Sequence, residues 1–172
     1  MRTPFAAKPG AREPGVDAFT LPGQTGMYTG QLRLPPIYLA DTSALVRMRY
    51  PEVAARLNPL ILQGIVGRCG PIDLEMLRTA QSPTEFRSMR EGRERAFPLL
   101  PLNQTEIDYA IDLQQALEDN HLHRAARLPD LMIAAVAIRY NLTVLHYDHD
   151  YDNIAQVSAL KAEWVVPPGS LV

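Results

Sequence analysis

Residues 131–138, Leu131, Met132, Ile133, Ala134, Ala135, Val136, Ala137 and Ile138, present apolar side chains in every direction around a helix. A helix without a polar face must be covered on all sides, so this segment calls for a layered domain with an interior large enough to enclose it. The 172 residues, 47% hydrophobic and 21% charged, are sufficient for one such domain. Around this helix the chain alternates short apolar runs with amphipathic stretches. Ile37, Tyr38, Leu39 and Ala40 read as a strand ending in Asp41, with Thr42 and Ser43 suited to a helix start. Val53, Leu57, Leu60 and Ile61 recur at helical spacing after Pro51, ending between Gly64 and Gly70. A short strand is expected at 68–72 with a helix from Asp73, then a polar helix over 82–96, a strand at 97–102 and an amphipathic helix over 104–118. Leu142 to His146 reads as a strand followed by acids, and 164–166 as a last strand. Strands alternating with helices give an α/β class: a mostly parallel sheet of about four to five strands with helices on both faces.

Residues 1–36 have another texture, with six prolines and five glycines and no helical or strand period. They read as a flexible leader before a domain over 37–172. The leader carries four basic residues against two acids, so the remainder holds 13 basic and 17 acidic side chains. The folded part therefore has no global attraction for nucleic acid, and any such binding must come from local arginines or from metal ions. No uncharged apolar run reaches the roughly 18 residues of a membrane span, and no signal-peptide core follows the N-terminus. A single cysteine, Cys69, excludes an intrachain disulfide and a cysteine zinc site, and agrees with a reducing cytoplasm.

In an open parallel sheet, ligands bind beyond the C-terminal ends of the strands. Asp41 and Asp148 stand at two such ends, while Glu75 and Asp130 fall in first turns of helices. Each acid has an ordinary reading. Asp130 can cap its buried helix, a role worth about 1 kcal/mol, and Asp41 can cap the helix at Thr42. Asp73 reads as a cap. Four carboxylates about 5 Å apart would repel by about 3 kcal/mol per pair at an effective dielectric near 20, which capping does not offset. A set of oxygen ligands without cysteine selects a hard cation, Mg²⁺ or Mn²⁺.

The segments Ile37 to Ala44, Ile72 to Arg78, Leu128 to Ala135 and Val144 to Asp152 resemble, in order and spacing, the four acidic motifs of PIN domains, and more narrowly those of the VapC toxins of bacterial VapBC toxin–antitoxin systems. The intervals are 34 residues from Asp41 to Glu75, 55 to Asp130 and 18 to Asp148. The resemblance implies a PIN-like fold and a metal-dependent endoribonuclease. Asp41 and Asp130 would be its principal metal ligands, Glu75 a direct or water-mediated one, and Asp148 or Asp150 the fourth acid. The last motif usually reads Asp-x-Asp-Phe; here Tyr151 stands in the place of Phe, and acids at 148, 150 and 152 alternate. Strand geometry favours Asp148, and Asp152 reads as the start of the next helix. The family chemistry is attack of metal-activated water on the phosphodiester, leaving a 5′-phosphate and a 3′-hydroxyl.

Ser43, Arg124 and Arg127 are the candidate substrate contacts. Arg87, Arg90 and Arg93 share a helix face that either meets RNA or is a solvated, salt-bridged surface. The histidines and tyrosines read as bystanders or packing residues. The resemblance implies two protein partners, a second copy in a homodimer and a VapB-type antitoxin whose tail lies over the acids. Leu45, Val46, Met48, Leu57, Leu60 and Ile61 would form the apolar groove for that tail, or else belong to the core. A haloacid-dehalogenase-like phosphatase is disfavoured, because position 43 is Ser and the only lysines are Lys8 and Lys161. A non-cleaving PIN-like binding module and an RNA-maturation nuclease are the competing readings.

Overall fold

A computed structural model describes residues 34–122 and 124–171. The leader expected over 1–36 lies outside the described residues except for 34–36, which form neither helix nor strand. The elements follow as β1 (Tyr38–Ala40), α1 (Thr42–Leu45), a 3₁₀ turn (Val46–Arg49), α2 (Pro51–Leu62), β2 (Val66–Gly67), α3 (Gly70–Leu77) and α4 (Pro83–Ala96). Then come α5 (Gln104–Asp119), α6 (Leu128–Arg139), β3 (Thr143–His146), α7 (Asp150–Val157) and β4 (Lys161–Trp164). The strands form one sheet in the order β2-β1-β3-β4, every pair parallel. Consecutive residues in β1 and β3 are fully enclosed (Leu39 and Ala40; Val144 and Leu145). Because successive strand side chains point to opposite faces, both faces of the sheet are covered by helices.

Helix α6 lies at the centre, in contact with β1, β3, α3, α5 and α7, and Ile133 to Ala137 are sealed from solvent. Helix α5 begins at Asn103, whose N–H donates to Glu106 Oε2 at 2.7 Å, and buries Ala110, Leu113 and Leu117. Helix α2 ends where Gly64 turns with φ +72°, its N–H donating to the Ile61 carbonyl, a conformation that favours glycine.

Three boundaries differ from the sequence reading. The strand expected at 68–72 is β2 at Val66–Gly67, and α3 already begins at Gly70. Pro71 is the reason: it has no N–H for a ladder but suits the first turn of a helix. The expected strand at 97–102 reduces to a bridge between Leu99 and Arg68, since Pro98 and Pro101 deny it donors. The last strand is Lys161–Trp164, not 164–166. Its charged residues, Lys161 and Glu163, are exposed as befits a sheet edge, which hid it from a search for apolar runs.

Two surface expectations also change. In the proposed groove, Leu45 and Leu57 are buried, Met48, Leu60 and Ile61 pack against the core, and only Val46 is exposed. Arg93 does not face solvent beside Arg87 and Arg90: it turns inward, its Nε 2.7 Å from Asp73 Oδ1. Asp73 also pairs with Arg68. It is thus neither a helix cap nor a ligand but a clip between α3, α4 and the end of β2. No helix among the described residues is long and apolar enough to cross a membrane.

Candidate active site

The chain leaves β1 for β2 on one side and later adds β3 on the other, so the crevice beyond β1 and β3 is the switch point of the sheet. Asp41 and Asp148 emerge there. Asp41 continues the ladder past Ala40, its N–H donating to the Leu145 carbonyl at 2.9 Å. Its carboxylate is 2% exposed and is held at both oxygens: Oδ2 accepts from the Ser43 N–H at 2.8 Å, and Oδ1 accepts from the Tyr151 hydroxyl at 2.9 Å. Asp41 therefore caps α1, as the ordinary reading had it, while still facing the cleft.

Asp130, in the first turn of α6, is also 2% exposed. Its Oδ2 accepts from the N–H and the Nε of Arg127, each at 3.1 Å. Burial pushes its pKa up to about 7; the neighbouring Asp41 charge and a hydrogen bond with Asp150 add to the rise, and Arg127 opposes it. Both acids from the last motif come to the same arginine. Arg127 lies 2.6 Å from Asp148 Oδ2 and 3.5 Å from Asp150 Oδ2. Asp148 Oδ1 also accepts from the Asp150 N–H, at the start of α7. Asp152 stands apart: it accepts from the Trp164 indole and contacts His149.

Asp41, Glu75 and Asp148 line an open cleft of about 470 Å³, with Thr42, Ser43, Arg127 and Tyr147 on the same walls. Glu75 reaches it from the middle of α3 rather than from a first turn. A second cleft of equal volume, beside Ser82, Phe86 and Arg87, has no carboxylate in its wall and offers nothing to a hard cation. Among the described residues, no three His, Cys, Asp or Glu side chains stand close enough to hold a metal ion together; the guanidinium of Arg127 is the cation among them. The donor chemistry, carboxylate oxygens with two of the acids buried, fits Mg²⁺ or Mn²⁺. Arg127, paired with Asp130, Asp148 and Asp150, competes with such an ion for them.

Ser43 sits on the cleft wall, but its Oγ accepts from the Tyr147 N–H at 2.9 Å, tying the loop that carries Asp148 to α1. Arg124 is exposed in the loop before α6, with φ +63°. His146 is fully buried beside the Tyr151 and Trp164 rings. Burial lowers its pKa, and Nδ1 accepts from the Asp148 N–H at 3.3 Å, so the neutral ring carries its proton on Nε2.

Two residues of the cleft wall and one buried behind it escaped sequence reasoning. Arg47 donates to the Ser43 carbonyl at 2.8 Å and lies 4.7 Å over the Tyr147 ring. Arg78 shares the wall with Glu75, three residues earlier on the same helix face, a spacing that could have flagged it. Tyr151 carried one signal, a hydroxyl where the motif usually has none.

Comparison with known proteins agrees with this geometry. The PIN domain family matches residues 38–157. Ribonuclease VapC21 of Mycobacterium tuberculosis is 40% identical over 133 residues, 77% of this chain and 96% of that protein. Ribonuclease VapC51 of the same species is 35% identical over 134 residues, 78% and 96% of the two chains. The fold is shared with DNA-bound VapBC from Salmonella typhimurium, at a TM-score of 0.62 and 13% identity over 76% of this chain and 99% of that one. With the acids of all four motifs at one edge of a parallel sheet and such identity along most of its length, the chain belongs to the PIN-domain family, among the VapC ribonucleases.

Proposed function

We propose that this chain is an endoribonuclease toxin of the VapC type, dependent on Mg²⁺ or Mn²⁺, that hydrolyses RNA in the cytoplasm and is neutralised by a small VapB-type antitoxin. The observation that carries the reading is the excess of carboxylate over cation at one cleft: five acids, Asp41, Glu75 and Asp148 on its wall with Asp130 and Asp150 behind, against three arginines, Arg47, Arg78 and Arg127. Asp41, Asp130, Glu75 and Asp148, with Asp150 as second choice for the fourth acid, would hold the ion. The chemistry such an ion would supply there is an activated water and an offset to charge developing on the scissile phosphate.

The remaining steps belong to the protein. Ser43 and Tyr151 orient Asp41. Arg127, 63% exposed, would be free to turn from the acids to a phosphate were a cation to take its place, with Arg124 in the same loop. Arg47 and Arg78 on the cleft wall supply the local positive charge that an acidic domain otherwise lacks. An antitoxin arginine laid over the acids would replace the ion and block the cleft. A homodimer, as the family resemblance implies, completes the reading.

The test is cleavage of a structured RNA pool by purified protein with Mg²⁺ or Mn²⁺, beside EDTA and Asp41→Asn, with product ends mapped. Metal-dependent cutting that disappears in the variant and leaves 5′-phosphates is the expected result. If the variant cuts as well as the parent, the reading fails. If neither cuts while metal still binds, the non-cleaving module takes its place.

A further inference from the structure

Tyr151 is fully buried on α7, 110 residues from its hydrogen-bond partner on the other side of the site, Asp41. A phenol in a packed interior needs a partner, since an unpaired buried hydroxyl is costly. Here the partner is the carboxylate that ends β1. The Ser43 N–H fixes one oxygen of Asp41 and the Tyr151 hydroxyl the other. With both oxygens donated to from the protein side, the plane of the carboxylate is set, and each oxygen keeps lone-pair capacity toward the cleft. A phenylalanine would fill the same volume without fixing the second oxygen.

We propose that Tyr151 is a positioning residue for the reaction: its hydroxyl, donated from α7 to Asp41, presets this carboxylate for a divalent cation. The inference rests on the proposed function and deepens it. Hydrogen-bond partners behind metal ligands commonly change metal affinity by about 10- to 100-fold, whereas the ring's packing is retained in Tyr151→Phe.

The experiment measures Mn²⁺ binding calorimetrically for the parent, Tyr151→Phe, Asp41→Asn and the double variant, with thermal melts and RNA cleavage kinetics alongside. Tyr151→Phe is expected to bind Mn²⁺ about 10-fold more weakly and to lose kcat with little change in KM for RNA. Its melting temperature should stay close to the parent's. In the Asp41→Asn background the same change should cost nothing further, because the group it positions is gone. Equal Mn²⁺ affinity in parent and Tyr151→Phe overturns the inference and leaves the nuclease reading intact; a parent that binds no Mn²⁺ overturns both. A second measurement needs no substitution: the Tyr151 hydroxyl proton, protected by burial, should shift in the NMR spectrum when Mg²⁺ saturates the parent, and an unmoved resonance at saturation also overturns the role.

Discussion

Two clusters of arginine and aspartate, one at Asp73 on α3 and one at the cleft, have inverted stoichiometries. At Asp73, two arginines serve one carboxylate: Arg68 and Arg93, with side chains 15% and 10% exposed, converge on both of its oxygens. At the cleft, one arginine serves three: Arg127 touches Asp130, Asp148 and Asp150 while remaining 63% exposed, with Asp41 and Glu75 close by. In the first cluster the carboxylate is fully engaged by nearly buried arginines, and Arg93 adds a stacking contact with the Phe97 ring. The second is left with surplus negative charge under a removable cover. The acid of the clip is engaged at both oxygens by nearly buried arginines, whereas the acids of the cleft outnumber their arginines, and that surplus of carboxylate marks the site.

The largest expected effect lies in the Asp73 cluster. Asp73→Ala strands two nearly buried guanidinium groups, and breaking such an arrangement costs about 3–5 kcal/mol, roughly 10 °C of melting temperature for a chain of this size. A loss of that order by calorimetry, with metal affinity unchanged, separates the two clusters. A variant that melts with the parent would show that the Asp73 clip does not hold α3 to α4.

Next in size is a pH effect at the cleft cluster. Asp130 has an ordinary carboxylate pKa when unfolded and one near 7 when folded. Between about pH 4 and 7 the native state therefore holds more protons than the unfolded one, so stability contributed by Asp130 falls as pH rises, by at most about 1.4 kcal/mol per pH unit. His146 works the other way: its pKa is lowered by burial, so its contribution is lost as pH falls below its ordinary 6.5. The difference between parent and Asp130→Asn removes the histidine from the comparison. Urea midpoints in EDTA should show the parent's advantage over Asp130→Asn shrinking across the window; parallel curves would mean that Asp130 is ionised throughout.

How much of this was legible beforehand follows from what each signal depends on. The buried helix α6 and the amphipathic α5 could be read because periodicity is local. The acids could be placed because strand ends and helix starts carry them to one edge of a parallel sheet, and the family resemblance supplied the order. Glu75 lines the same cleft as Asp41 and Asp148 but from the middle of its helix and not its first turn, since the start of α3 depends on Pro71 rather than on the apolar run around it. The partners were not legible. Whether Arg93 turns inward to Asp73 or outward with Arg90 is decided by the packing of α4 on α3, and whether Tyr151 is packing or a donor is decided by where β1 ends relative to α7. Both are contacts between distant segments, which no spacing rule reaches.

The smallest effect tests the cover itself. Because Arg127 is mostly exposed, water screens its ion pairs, and its removal in Arg127→Met should cost only about 1 kcal/mol in EDTA, a melting temperature lower by a few degrees. The same change removes the internal competitor for the carboxylates, so added Mg²⁺ should stabilise the variant more than the parent and close the gap between them. In Asp73→Ala, by contrast, Mg²⁺ should leave the gap to the parent unchanged, because that variant leaves two arginines and no carboxylate for a cation to engage. The readout is the change in melting temperature on adding Mg²⁺, compared across parent, Arg127→Met and Asp73→Ala. A gap at Arg127 that persists in saturating Mg²⁺ would assign this arginine the same structural duty as Arg68 and Arg93, and the inverted stoichiometry would then no longer distinguish a binding site from a clip.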